Sequence, residues 1–100
     1  KLGEMVTRAR AARLLTLDAA TAYDRGERCD MEAGMAKYFA SEAAVRNSEE
    51  SLRIHGGYGY SMEYDIERFY RDSILMCIGE GTNEMQRIII SKQWVKRNPA

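Results

Sequence analysis

The residues best suited to chemistry lie between Cys77 and Arg87, in the run C-I-G-E-G-T-N-E-M-Q-R. One carboxylate, Glu80, stands between Gly79 and Gly81, just ahead of a helix start. Glycine has no Cβ, so the backbone there can enter φ > 0 and another molecule can come close. Thr82 and Asn83 are good N-cap types, and Glu84 suits a first helical turn, where the helix dipole favours negative charge. A carboxylate on a glycine hinge beside free backbone N–H groups is a candidate reactive group. An ordinary loop acid looks the same from sequence alone.

Other chemistries find no support. His55 is the single histidine, and Leu52 stands where a Glu-x-x-His di-iron motif needs its acid. No Cys/His cluster offers a metal cage. Gly57-Tyr58-Gly59 would need glycine at position 62 to complete a dinucleotide fingerprint, and Met62 is there, with no preceding strand. No Ser–His–Asp or Cys–His grouping follows from spacing. His55 reads as a structural residue at a helix end.

The elements that must hold Glu80 are helices. From Leu2 to about Arg25, Leu2, Met5, Ala9, Ala12, Thr16, Ala19 and Tyr23 recur at helical steps. Leu14, Leu15 and Leu17 widen that face, which predicts more than one partner helix. Gly26 fits a C′ glycine. Asp30 reads as the N-cap of a second helix running to about Ile54, rich in small residues (Ala33, Gly34, Ala36, Ala40, Ser41, Ala44) that permit close helix approach. The short link makes these two helices antiparallel neighbours. The glycines of G-G-Y-G-Y, Gly56 to Tyr60, predict either a very tight turn or a ligand against the backbone. Asp65 is positioned to cap a third helix through Ile66, Phe69, Tyr70, Ile74 and Leu75, and a fourth follows Thr82 and stops at Asn98-Pro99. The fold class is therefore all-α: an antiparallel bundle of about four helices in one domain, residues 1–100.

Composition sets outer bounds. The 100 residues carry 15 basic and 15 acidic side chains, which cancel and give no attraction to nucleic acid. A zero balance with 45% apolar residues favours self-association. Cys29 and Cys77 form no motif and read as free thiols in a reducing compartment. No apolar run approaches the roughly 20 residues of a membrane span. The chain opens on Lys1 inside a helical pattern, as expected of the C-terminal part of a longer protein.

Two stretches at their mutual spacing add a resemblance. I-H-G-G-Y-G-Y-S-M-E-Y-D-I-E-R-F-Y-R-D (Ile54 to Asp72), then G-E-G-T-N-E-M-Q-R (Gly79 to Arg87), closely resembles the C-terminal helical domain of acyl-CoA dehydrogenases. That family's usual form is Q-x-x-G-G-x-G, then E-R-x-x-R-D, then Y-E-G-T-S-E-I-Q-R. M-A-K-Y-F-A-S-E-A-A, Met35 to Ala44, resembles the family helix before the glycine loop.

The resemblance implies an FAD-dependent α,β-dehydrogenation of an acyl-CoA thioester, with Glu80 as the base that removes the α-proton and Gly81 in contact with substrate. It implies flavin contacts at Thr82, Asn83 and Glu84. It also implies contacts from Arg53, Gly56 and Gly57 to the FAD of a neighbouring subunit. Arg53 replaces the family's glutamine and Gly79 its tyrosine, the latter enlarging the acyl pocket. Electron-transfer flavoprotein or a similar acceptor, a homodimer or homotetramer, and a bacterial cytoplasmic or mitochondrial matrix location are further implications. Rival readings are an acyl-CoA oxidase and a non-catalytic helical oligomerisation module. The family's other domains carry much of the flavin site, so this piece alone is expected to be inactive. Arg68, Arg71 and Asp72 are expected to form an intramolecular ion-pair network.

Overall fold

A computed structural model of the chain describes residues 1–99. Its elements are α1 (Leu2–Asp24), α2 (Asp30–His55), the single turn α3 (Gly57–Tyr60), α4 (Ile66–Ile78) and α5 (Asn83–Arg97). The all-helical expectation is borne out, with four long helices. Among the described residues, no helix is long and apolar enough to cross a membrane.

The second helix, α2, is the spine. Its 26 residues at 1.5 Å each make it about 39 Å long, within overall extents of 51 × 26 × 23 Å. The other long helices all pack on it and run antiparallel to it. Arg8, early in α1, reaches Glu50, late in α2. Arg97, at the end of α5, reaches Glu32, at the start of α2. Leu75 and Met76 of α4 share a cavity with Ala40 and Ala44 of α2, whereas Ile90 of α5 meets α2 at Gly34. The α4 and α5 helices therefore lie in tandem along α2, and the Gly79–Thr82 link between them falls opposite its middle.

The reversal after α1 follows from Gly26. Its φ of 73° is left-handed, and two bonds close the helix end: Gly26 N–H to the Tyr23 carbonyl and Glu27 N–H to the Ala22 carbonyl, both 3.0 Å. This is a Schellman motif, and it confirms the C′ glycine. Two expected caps differ. Asp30 lies inside α2, which starts after Cys29 with no side-chain cap, because Arg28 holds the Asp30 carboxylate at 3.1 Å. Asp65 does precede α4, but its carboxylate pairs with Arg68 at 3.4 Å and caps nothing.

The buried stripe of α1 is also rotated from the expected one. Leu2 and Tyr23 are 69% and 75% exposed, whereas Met5, Arg8, Ala12, Leu15, Ala19 and Ala22 turn inward. Arg8 draws the face round, donating to Asn47 Oδ1 and Glu50 Oε2, both at 3.1 Å. Among the described residues α1 packs on α2, and Leu14 and Leu17 remain about half exposed.

The apolar interior is thin. Ala22, Met31, Ala36, Ala43 and Ile66 are the buried hydrophobic residues, and Ser41, Glu50, Ser73, Asn83 and Gln93 are buried beside them. Among the described residues every buried side-chain nitrogen and oxygen has a partner, as burial of polar groups requires. Helix contacts therefore depend on matched polar groups as much as on oil.

The G-G-Y-G-Y turn resolves in favour of tight local packing at its third glycine. A Cβ on Gly59 would lie 2.4 Å from the Leu52 carbonyl oxygen of α2. Gly56 takes φ 66°, a left-handed value that stops α2. The backbone oxygen at Leu52 cannot swing aside, so Gly59→Ala is expected to destabilise the chain by about 1–3 kcal/mol, read as a lower urea midpoint.

The Arg8–Glu50 contact gives a pH signature. The Arg8 guanidinium, helped by Arg46, holds the Glu50 carboxyl below its ordinary 4.5, against an opposing effect of burial. A depressed folded value means that its stabilisation is complete above pH 4.5 and is lost as pH falls through the lower folded value. Glu50→Gln should therefore be less stable than the parent chain at pH 7, with the gap closing progressively below pH 4.5 in urea melts followed by circular dichroism.

Candidate active site

Glu80 is the only non-glycine residue with positive φ among the described residues, at 56°. A left-handed conformation costs an L-residue about 1–2 kcal/mol, so the surrounding structure must impose it. On one side Gly79 closes α4 in an extended conformation, its N–H bonded to the Leu75 carbonyl at 2.8 Å. On the other, Gly81 continues left-handed at φ 83°. Thr82 then starts α5 as its N-cap, with Oγ1 accepting from Met85 N–H at 3.2 Å, as its type predicted.

Asn83 behaves differently from a cap. It lies in the first turn of α5 and is 2% exposed. Its Oδ1 accepts from Lys37 Nζ at 2.7 Å, and its Nδ2 donates to Ser41 Oγ at 2.9 Å and Glu42 Oε2 at 2.6 Å. Ser41 Oγ in turn donates to the Lys37 carbonyl at 2.7 Å. One amide side chain thereby fastens the start of α5 to three residues of α2. What Asn83 leaves for a ligand is its backbone N–H.

Beside this knot is a cavity of about 550 Å³, lined by Ala40, Ala44, Leu75, Met76 and Gly79 together with Lys37, Ser41 and Glu80. The small residues of α2 serve two purposes. Gly34 allows close helix approach, whereas Ala40 and Ala44 leave this space open. Gly79 widens it: its φ of −73° suits any residue, and a Cβ there would meet only the Leu75 carbonyl oxygen, at an ordinary 3.5 Å. Glu80 itself is exposed among the described residues. Burial pushes the neighbouring Cys77 thiol up, keeping it protonated.

The remaining candidates lie elsewhere. Arg53, Gly56 and Gly57 are exposed at the far end of α2, about 20 Å from Ser41 at 1.5 Å per residue. Among the described residues Arg53 pairs with Glu49, at 3.4 Å. A Cβ on Gly56 or Gly57 would meet nothing within 4 Å, so that backbone is open to an approaching group. His55 ends α2 with Nδ1 at 2.8 Å from the Ser51 carbonyl and its ring 5.9 Å from Tyr64. Arg71 pairs with Glu67 at 2.9 Å and Arg68 with Asp65. These are separate local pairs and not the expected network, and Asp72 joins neither.

Neither Lys37 nor Gln86 is a site candidate from sequence, and Ser41 counts there only as a small residue on a helix face. A signal was present: Gly34, Lys37 and Ser41 fall three and four residues apart, a small and polar stripe on one helix face. Gln86 Nε2 lies 3.4 Å from the Glu80 carbonyl, to which it donates.

The fold is an all-helical domain with an acid on a strained, glycine-flanked joint beside an apolar cavity. The profile for "Acyl-CoA dehydrogenase, C-terminal domain" matches residues 1–95, and the chain belongs to the acyl-CoA dehydrogenase family. It is 53% identical over 92 residues to an acyl-CoA dehydrogenase of Bacillus subtilis, covering 92% of this chain and 24% of that protein. Butyryl-CoA dehydrogenase from Megasphaera elsdenii superimposes with a TM-score of 0.92 at 38% identity, over 94% of this chain and 24% of that one. The electron transferring flavoprotein of Acidaminococcus fermentans gives a TM-score of 0.92 at 37% identity, over 94% and 25%. The chain thus spans about a quarter of the length of these relatives.

Removing the Asn83 side chain would leave Lys37 and Glu42 without their shared partner. Asn83→Ala should cost about 1–3 kcal/mol, measured by chemical denaturation.

Proposed function

We propose that this chain is the catalytic-base and assembly domain of an FAD-dependent acyl-CoA dehydrogenase, with Glu80 taking the α-proton of the thioester. The observation that carries the reading is the left-handed Glu80 between two glycines, beside an apolar cavity of about 550 Å³. Packing alone has no use for an acid there, since glycine would adopt the same conformation without strain.

The chain's residues suit that role. Glu80 lines a cavity whose walls are mostly apolar, as the acyl chain of a thioester requires. No partner for the Glu80 N–H is found among the described residues, so it can donate to the thioester carbonyl oxygen, where negative charge develops as the α-proton leaves. Glu80 would then act twice, through its side chain as base and through its amide as oxyanion donor. Gly81 keeps the backbone low beside the substrate.

The residues present also fit a share of a flavin site. The first turn of α5, with Thr82 and the backbone N–H groups of Asn83 and Glu84, offers donors to a ribityl or phosphate oxygen. The open backbone at Gly56 and Gly57, with the Arg53 guanidinium, offers a second surface about 20 Å away along α2, suited to the flavin of a neighbouring subunit. When bound, FAD supplies the acceptor for the hydride that leaves the β-carbon. Electron-transfer flavoprotein or a similar protein is the onward acceptor, and the bacterial cytoplasm is the location in keeping with the relatives. A dimer or tetramer is supported by exposed apolar groups on α4 and α5, among them Leu75, Ile78, Trp94 and Val95, each more than half exposed.

In the full-length flavoprotein, anaerobic titration with acyl-CoA thioesters should bleach the flavin absorbance of wild type. Glu80→Gln should retain flavin yet slow bleaching by about 10²–10⁴-fold. Equal bleaching in the two proteins would remove Glu80 from the role of base.

A further inference from the structure

Gly34 is a glycine inside a long helix, where it costs about 1 kcal/mol relative to alanine. Positive φ does not explain it, since only Gly26, Gly56 and Gly81 carry one among the glycines. What Gly34 admits is the Gln86 amide: a Cβ at position 34 would lie 3.1 Å from Gln86 Oε1 and 3.2 Å from Ile90 Cγ1. The other end of that amide meets Gly81, where a Cβ would lie 2.8 Å from Nε2. The same Nε2 donates to the Glu80 carbonyl at 3.4 Å. One half-buried carboxamide thus spans from α2 to the peptide joining Glu80 and Gly81, which are left-handed in succession at φ 56° and 83°.

We propose that Gln86 is the positioning residue of Glu80. Its amide holds the Glu80–Gly81 peptide plane, and so sets the direction of the Glu80 Cα–Cβ bond and of the carboxylate beyond it. Gly34 and Gly81 are the clearances that admit the amide. The inference rests on the reading of Glu80 as base. It follows from geometry: a base must stand within hydrogen-bond reach of the proton it takes, and a misplacement of about 1 Å can cost about 10²-fold. Leucine or methionine at position 86 would fill the space but hold nothing, because the contact requires an N–H donor. Gln86 touches neither substrate nor flavin in this assignment.

The test uses the full-length flavoprotein, with Gln86→Met beside wild type and Glu80→Gln. Methionine keeps the length and helix propensity of glutamine and loses the donor. Expected for Gln86→Met are a kcat about tenfold lower, with KM, flavin content and melting temperature unchanged, and amide hydrogen exchange about tenfold faster across Gly79–Thr82 alone. Wild-type kcat in Gln86→Met, with or without faster loop exchange, overturns the proposal while Glu80→Gln remains inactive. So does a fall in kcat that tracks losses of flavin and melting temperature, which would make Gln86 merely structural. Undiminished flavin reduction in Glu80→Gln overturns the base reading itself, and the positioning role with it; that failure is recognisable because it appears in the Glu80 variant.

Discussion

The joint that carries Glu80 depends on one buried amide. Asn83 is the most deeply enclosed large side chain among the described residues, and its bonds all go to α2. Helix α5 begins where Asn83 is fastened, α4 ends beside the cavity that Leu75 and Met76 share with α2, and four residues must cover the distance between. A link that short has little conformational choice. Left-handed backbone at Glu80 and Gly81 is how the chain turns from one helix into the next, and the Glu80 side chain projects from that constrained turn.

The far end of α5 is fastened in the same manner. Arg97 donates to both Glu32 carboxylate oxygens, at 2.7 and 3.1 Å, and to the Arg28 carbonyl at 3.2 Å. Between these polar clasps the helix presents apolar groups outward, Trp94 and Val95 among them. The division of labour is physical. Polar contacts have strict geometry and fix register between helices, while the small apolar core contributes little beyond close packing. The outward apolar groups are available to whatever covers this domain.

Much of this was legible in the sequence because it is local. The helices follow from periodicity, Gly26 from its place after the last apolar residue, and Thr82 from its position one residue before α5. The prominence of Glu80 follows from its two glycines. What escaped was non-local. Asn83 was read as a cap or ligand contact because its partners, Lys37, Ser41 and Glu42, lie more than 40 residues earlier. Lys37 resembles a solvated helix position until a second helix arrives. The inward turn of Arg8 has that cause, with Asn47 and Glu50 lying 39 and 42 residues later, whereas Asp30 is drawn from its capping role by a local partner, Arg28, two residues before it. Gly59 was ambiguous in sequence, since glycine for a ligand and glycine for a neighbouring carbonyl are the same letter.

The strain at Glu80 has an evolutionary side. Glycine there would relax the left-handed backbone by an amount of order 1 kcal/mol, so selection for folding alone drifts towards losing the acid. A descendant that needed only the scaffold would discard the carboxylate early, and would be the sturdier for it. An acid in so unfavourable a conformation is one that folding by itself gives no reason to keep.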